Sequence, residues 1–291
     1  MILETVIWTV DPVAFSLGAV EVRWYGILLA TGFFLAYLTL QKIFKVENIS
    51  QQILDKISIW TVVWTIVGLR LGHFLFYEPE QFVTAPLEII LPFHNGQFVG
   101  YQGLASHGAV IAIVAYVVYA ARKYKMNMLW LLDRMAIAIP IAAAFVRCGN
   151  LMNHEIVGSI TTVPWAFDFT HGGFGIAGTF RHPAQLYEAF VYLTLYIAFV
   201  IYYFKFAKGK VYAGFATGTL LTVIFTARFF IEFVKEVQVA KENAMLLDIG
   251  QLLSIPFVII GICLLIYSLK KKDIPQYIVP EEFKQKEEKK K

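Results

Sequence analysis

The chain has 291 residues, 58% hydrophobic and only 16% charged, where a soluble domain carries about 25% charged residues. With a mean hydropathy of +0.63, this excludes a disordered chain, a nucleic-acid-binding module and a disulfide-stapled secreted domain. The net charge of +4 gathers at the C-terminus, in KKK at 270–272 and KQKEEKKK at 284–291. A basic tail behind an apolar run marks a cytoplasmic end beside anionic lipid. Cys148 and Cys263 lie in or beside apolar runs and set no disulfide framework. The opening stretch, MILETVIWTVDP, has no Lys or Arg before its apolar residues, so no cleaved signal peptide is expected.

A helix needs about 20 apolar residues to cross the hydrocarbon core. On that measure the sequence offers seven spans, at roughly 24–41, 57–77, 104–121, 128–148, 184–204, 211–234 and 247–269. Basic residues test the count independently. The first loop holds Lys42, Lys45 and Lys56, the third Arg122, Lys123 and Lys125, and the fifth Lys205, Lys208 and Lys210. The second loop, from Glu78 to Tyr101, has no Lys or Arg, and the fourth, at 149–183, has only Arg181. In the sixth, Lys235 and Lys241 are balanced by Glu236 and Glu242. Rich and poor loops alternate, which puts the N-terminus outside and the tail inside. The expectation is an all-α integral membrane protein of seven transmembrane helices, with a membrane domain over 1–270 and a basic cytoplasmic tail over 271–291. The outer connection at 149–183 is longer than a simple link needs and is expected to form a lid or small extramembrane head.

Ionisable residues inside spans cost about 2.5–3.5 kcal/mol at the centre on insertion scales. Arg70, His107, Arg147, Glu188, Arg228 and Glu232 nevertheless fall in spans or at their ends, with Tyr25 at the start of the first and Asn150 beyond the fourth. The alternation of loops places all of them towards the outer face, whereas Asp133 and Arg134 lie towards the inner one and read as a structural anchor. Snorkelling explains a single arginine near a helix end. A polar cavity open to the outer leaflet explains the whole set. Arg228 and Glu232, four apart on one helical face, also have the spacing to neutralise each other. Gly68 and Gly72, at GxxxG spacing around Arg70, point to close helix packing. No HExxH, GxSxG, zinc-spaced Cys/His set or Walker loop occurs, so no metal or cofactor is expected. Arginine binds phosphate bidentately and stays charged at depth, which makes a phospholipid headgroup the natural ligand.

RCGNLMNHEIVG, at 147–158, resembles the signature R-x-G-N-x-x-N-x-E-x-x-G of the bacterial phosphatidylglycerol–prolipoprotein diacylglyceryl transferases. Arg147, Gly149, Asn150, Asn153, Glu155 and Gly158 all match it. RWYG at 23–26, GLRLGHFLFY at 68–77, SHGA at 106–109, RHPAQLYE at 181–188 and ARFFIEF at 227–233 are similar to further stretches of that family, in the family's order. Val146 departs from it, where the family often has Gly. The resemblance implies transfer of the diacylglyceryl group of phosphatidylglycerol onto the lipobox cysteine of a prolipoprotein signal peptide, releasing glycerol 1-phosphate. It also implies a site in the plasma membrane facing the outer leaflet, with membrane lipid and the prolipoprotein as partners and no nucleic acid.

The nucleophile then belongs to the substrate, and the chain needs no reactive cysteine. Arg147 and Arg228, with Arg70, are expected to stabilise the phosphate leaving group, and Asn150 to bond the headgroup. Tyr25, Asn153, Glu155, Gly158 and Glu188 are expected around the phosphatidylglycerol, together with His182 and Tyr187 as cavity walls. His107 is the expected base for the thiol, with Glu232 or a phosphate oxygen as alternatives. A phospholipid transporter or flippase is the competing class, which would need a path to both faces.

Overall fold

The computed structural model describes residues 6–18, 20–84, 89, 93–94, 97–98, 106–174, 176–236 and 246–280. The chain forms two compact units, Met1–Ile43 with Leu132–Pro275, and Phe44–Leu131 with Gln276–Lys291. Seven long helices stand out among the described residues: α1 (Trp24–Val46), α2 (Gln51–Tyr77), α3 (Ser106–Lys123), α4 (Met128–Met152), α5 (Ala184–Ile201), α6 (Phe215–Glu232) and α7 (Ile249–Lys271). Tyr202–Ala207 continues α5 as a π-helix. Six of the seven, all but α3, are long and apolar enough to cross a membrane.

The helices overrun the apolar spans read from the sequence because helical hydrogen bonding continues into polar residues. Lys42 and Lys45 lie on α1 and Lys56 on α2, so the expected first loop shrinks to 47–50, where Ser50 caps α2 by accepting from Gln52 N at 3.2 Å. α4 runs four residues past the expected end at 148, and α6 begins at 215 rather than 211 because Gly209 and Gly214 are left-handed, with φ of 81° and 82°. Asp248 and Gln251 close a capping box at the start of α7. Most of the expected loop at 78–103, the stretch 237–245 with Lys241 and Glu242, and the tail from 281 fall outside the described residues.

Within the second unit, the GxxxG expectation is met. A Cβ built on Gly108 of α3 would lie 2.0 Å from Gly68 O and 2.6 Å from Gly72 Cα, so only hydrogen at that position lets α2 and α3 close. α6 meets α7 in the first unit the same way, through Gly218 and Gly261.

Asp133 of α4 anchors the first unit. Its Oδ2 accepts from Gly214 N at 2.7 Å, and its Oδ1 accepts from Thr217 N at 2.9 Å and from the Thr217 hydroxyl at 2.8 Å. One buried carboxylate therefore caps α6 from another helix, satisfying orphan N–H groups and the positive end of the dipole together. Arg134 beside it donates to Gly209 O at 3.4 Å, in the turn that leads into α6.

A small head joins α4 to α5, and it takes more of the chain than 149–183. Strand β1 (Val6–Ile7) runs parallel to β6 (Phe167–Asp168), which pairs antiparallel with β7 (Phe180–Arg181), while β4 (Phe93–His94) and β5 (Gln97–Phe98) pair with each other in the second unit. A hairpin of β2 (Val13–Leu17) and β3 (Val20–Arg23) leads into α1. Leu151, Val157 and Phe169 form the buried core, with Trp8, Phe167, Phe174 and Leu186 packed against it. Trp8 Nε1 donates to Leu151 O at 3.1 Å, and His154 Nε2 meets Val10 O at 2.7 Å. The N-terminal segment is thus tied to the end of α4, at a carbonyl that also accepts from His154 N at 3.1 Å. In the turn after β6, the Asp168 carboxylate accepts from the Thr170 hydroxyl, from Thr170 N at 2.9 Å and from Gly178 N at 3.0 Å. These bonds, the hydroxyl's first, hold its carboxyl below the usual range.

Candidate active site

The overrun of α4 builds the site. Arg147 and Asn150 are both helical and three residues apart, so Arg147 Nη1 donates to Asn150 Oδ1 at 3.1 Å. On its other edge, Arg147 Nε meets Glu188 Oε2 of α5 at 2.5 Å. Glu188 is fully buried, and its second oxygen takes Lys235 Nζ at 2.7 Å, while Tyr192 OH donates to Oε2 at 2.7 Å. Lys235, only 8% exposed, also reaches Glu232 at the end of α6, at 3.0 Å. Burying an ion costs several kcal/mol unless it is paired and hydrogen-bonded, and here each Glu188 oxygen faces a cation.

The turn after α4 aims a second carboxylate at the same place. Glu155 is flanked by His154 and Ile156, both left-handed, at φ of 54° and 59°. That conformation is strained for a branched residue, by about 1–3 kcal/mol, and persists only where the surroundings impose it. It turns Glu155 back on the helix, where its Oε1 accepts from Asn150 Nδ2 at 2.8 Å and from Asn153 Nδ2 at 3.4 Å. Gln185 Nε2 fixes the Glu155 backbone carbonyl at 2.6 Å. Tyr25, in the first turn of α1, packs its ring on Gly149, where a Cβ would sit 2.8 Å from Tyr25 Cδ2, and feels the charges of Glu155 and Arg147.

Gly158 acts through its backbone. A Cβ there would lie 2.4 Å from His182 O and 2.7 Å from Val234 O, so three segments cross at a point that no side chain fits. Gly158 N donates to His182 O at 2.9 Å and Ser159 N to Val234 O at 2.8 Å. This crossing pins residues 234–236 and with them Lys235. Arg181 locks it, donating to Gly158 O at 3.1 Å and pairing with Glu236. Beside it, Trp165 Nε1 donates to Tyr187 OH at 2.8 Å, which leaves the Tyr187 proton for His182 Nδ1 at 3.0 Å. Burial pushes the His182 imidazole down from its usual range, favouring that neutral ring.

The first unit therefore gathers Tyr25, Arg147, Asn150, Asn153, Glu155, Gly158, Glu188 and Glu232. Arg228, half-buried on α6, acts electrostatically on the same Tyr192 hydroxyl as Arg147 and has no ion-pair partner among the described residues. The neutralising pair with Glu232 does not form, since Glu232 is held by Lys235. Arg70 and His107 belong to the second unit. Arg70 Nε donates to Ile89 O at 3.1 Å, with its guanidinium 4.6 Å from the Phe74 ring centroid. His107 stands in the first turn of α3, and its side chain lies outside the described residues.

Lys235, Arg181 and Tyr192 are the network members that sequence analysis missed. In the sequence, Lys235 and Glu236 look like a self-cancelling surface pair. In extended backbone, adjacent side chains point apart, so Lys235 turns to Glu188 and Glu232 while Glu236 turns to Arg181. The available signal was Lys235 three residues beyond Glu232.

Comparison with known proteins bears on this arrangement. A family model described as prolipoprotein diacylglyceryl transferase matches residues 12–267. A phosphatidylglycerol–prolipoprotein diacylglyceryl transferase of Bacteroides fragilis is 41% identical over 94% of this chain and 99% of its own length. Proteins of the same name are 40% identical in Tolumonas auensis, over 91% of this chain and 98% of theirs, and 37% in Chloroherpeton thalassium, over 92% and 96%. The chain, with its arginines and carboxylates gathered where α4, α5 and α6 meet, belongs to the prolipoprotein diacylglyceryl transferase family.

Proposed function

We propose that the protein transfers the diacylglyceryl group of phosphatidylglycerol to the lipobox cysteine thiol of prolipoproteins, in the plasma membrane and from its outer leaflet. Family membership carries the activity. One observation carries the site: Arg147 is oriented by Glu188 and Asn150, and Arg228, near enough to act electrostatically on the same Tyr192, has no ion-pair partner among the described residues. A half-buried guanidinium with no counter-ion in a membrane helix is stabilised by an incoming anion, and a phosphodiester is the anion at hand. Arg147 carries five N–H donors, more than its partners here use. Asn153 Oδ1, buried and with no donor among the described residues, suits a headgroup hydroxyl.

In the reaction the thiolate forms a carbon–sulfur bond at the glyceryl carbon as the carbon–oxygen bond to phosphate breaks. The electron pair leaves on the phosphate oxygen, where Arg147 and Arg228 stabilise it, with Arg70 as a further contact. The thiol, with a pKa near 8.5, must first lose its proton. Glu232 is already committed to its ion pair with Lys235, so the proton is assigned to His107, the imidazole singled out in the sequence. Tyr25, Asn150, Glu155, Gly158 and Glu188 hold the headgroup pocket in shape. The proposal includes α3 as a seventh span, the N-terminus outside and the tail in the cytoplasm, supported by the alternation of basic loops.

The test uses purified protein in detergent with phosphatidylglycerol and a lipobox peptide, following glycerol phosphate release. Release should require the peptide's Cys, fail when Ser replaces it, and fail with Arg147→Ala. Release that needs neither the thiol nor Arg147 would sink the assignment.

A further inference from the structure

The cavity that the charge network does not use lies at the other end of α1. It measures about 400 Å³ and is lined by Leu35, Leu38, Thr39 and Lys42 of α1, facing Tyr196 of α5 and Phe204 of its π-helical extension. Lys42 is about 25 Å along α1 from Tyr25, at 1.5 Å per residue, so this space is separate from the Arg147 site. The four α1 residues fall at i, i+3, i+4 and i+7, one continuous helical face.

Its polar groups are spent on each other. The Thr39 hydroxyl donates to Leu35 O at 2.8 Å, so the Tyr196 hydroxyl must donate to Thr39 Oγ1, at 2.8 Å. The remaining wall is aliphatic and aromatic. Lys42 is the sole charged residue of the lining; it is exposed and has no ion-pair partner among the described residues. A π-helix is a rare element that recurs at functional sites, and this one contributes Phe204 to the wall. Both long walls are helical, their backbone groups already bonded, so nothing here would hold an extended peptide. A volume of this size lies within the range of small-ligand sites, about 300–1,000 Å³.

We propose that this cavity is a second phospholipid site, taking one acyl chain between α1 and α5 and an anionic headgroup on Lys42. Its occupant is an anionic phospholipid of the surrounding bilayer, bound without being consumed. Apolar walls accept the chain of any lipid, and the lone cation selects the headgroup.

Native mass spectrometry of the full chain in neutral detergent tests this, with phosphatidylglycerol or phosphatidylcholine of identical acyl chains as probes. The wild type should keep two phosphatidylglycerol adducts, one of them lost in Arg147→Ala. Lys42→Gln should weaken the other about fivefold and leave phosphatidylcholine binding unchanged, with transfer activity at saturating lipid intact. Leu38→Trp, or Val200→Trp where α5 lines the cavity, should abolish that adduct for either lipid. Two adducts surviving both tryptophan variants would overturn the proposal, as would an equal effect of Lys42→Gln on both lipids. Loss of the Arg147-dependent adduct in the tryptophan variants alone would also overturn it, because the cavity would then be part of the substrate site. The Arg147→Ala arm reports on the substrate site separately.

Discussion

The α2–α3 contact and the α4–α5 contact both hold helices together, by opposite means. Between α2 and α3 no charge is involved in the close approach: glycines remove the side chains and backbone meets backbone at Gly68, Gly72 and Gly108. Between α4 and α5 the helices are joined by buried charge, Arg147 to Glu188, with Lys235 completing the carboxylate from the far side. A glycine contact is tight and chemically silent. An ion-pair contact is no better as glue, since a hydrophobic replacement of equal volume often serves as well. Charge kept at that cost points to work on a ligand, and the helix pair that carries it is where the family's signature lies.

Substitutions at three positions separate the two kinds of contact, and one titration sets the head against both. Arg147→Ala should have the largest effect, lowering transfer by about 10²–10³-fold, the cost of removing one donor from a developing charge. Because Lys235 still neutralises Glu188, the variant should remain folded in a thermal melt. A collapse of the fold instead would make Arg147 a structural residue. Lys235→Met takes the cation from Glu232 while Arg147 still neutralises Glu188, and should cost about 1–3 kcal/mol of stability, read by denaturant or heat. Lys235→Arg should restore most of that stability, and a Met variant as stable as wild type would show that the buried triad does not matter. Gly108→Ala should cost about 1–3 kcal/mol by overpacking against Gly68 and Gly72, with little change in substrate affinity among molecules that fold. The smallest effect belongs to the head. The Asp168 carboxyl is held below its unfolded value near 3.9, so its contribution is complete above that pH and is lost as pH falls through the lower folded value. Thermal melts from pH 5 to pH 3 should show an added loss that Asp168→Asn removes.

Much of the fold was legible because membrane crossing is written in hydropathy and glycine contacts in spacing. Gly68 and Gly72 announced a close contact, and α3 supplies its other side at Gly108. Helix ends were less legible, since Lys42, Lys56 and Asn150 are polar residues that hydrogen bonding keeps helical beyond the apolar core. The head strands came from Val6–Ile7 as much as from 167–181, and a two-residue parallel pairing has no periodicity to detect. Within the site, signature residues such as Arg147 and Asn150 were visible, while Lys235 was hidden by Glu236 beside it. Which of two adjacent charges faces inward is decided by the crossing at Gly158, a tertiary event.

The carboxylate of Asp133 has a consequence for how the protein is made. Its partners at Gly214 and Thr217 lie 81 and 84 residues later in the chain. At about 5–20 residues per second, the ribosome delivers them roughly 4–16 s after Asp133 itself. During that interval α4 carries an acidic group with no α6 to cap, so it must wait near the aqueous boundary or in the protonated form. Burial of α4 is therefore tied to the arrival of α6, and biogenesis of the first unit has an order: the fourth helix settles only when the sixth comes to claim its carboxylate.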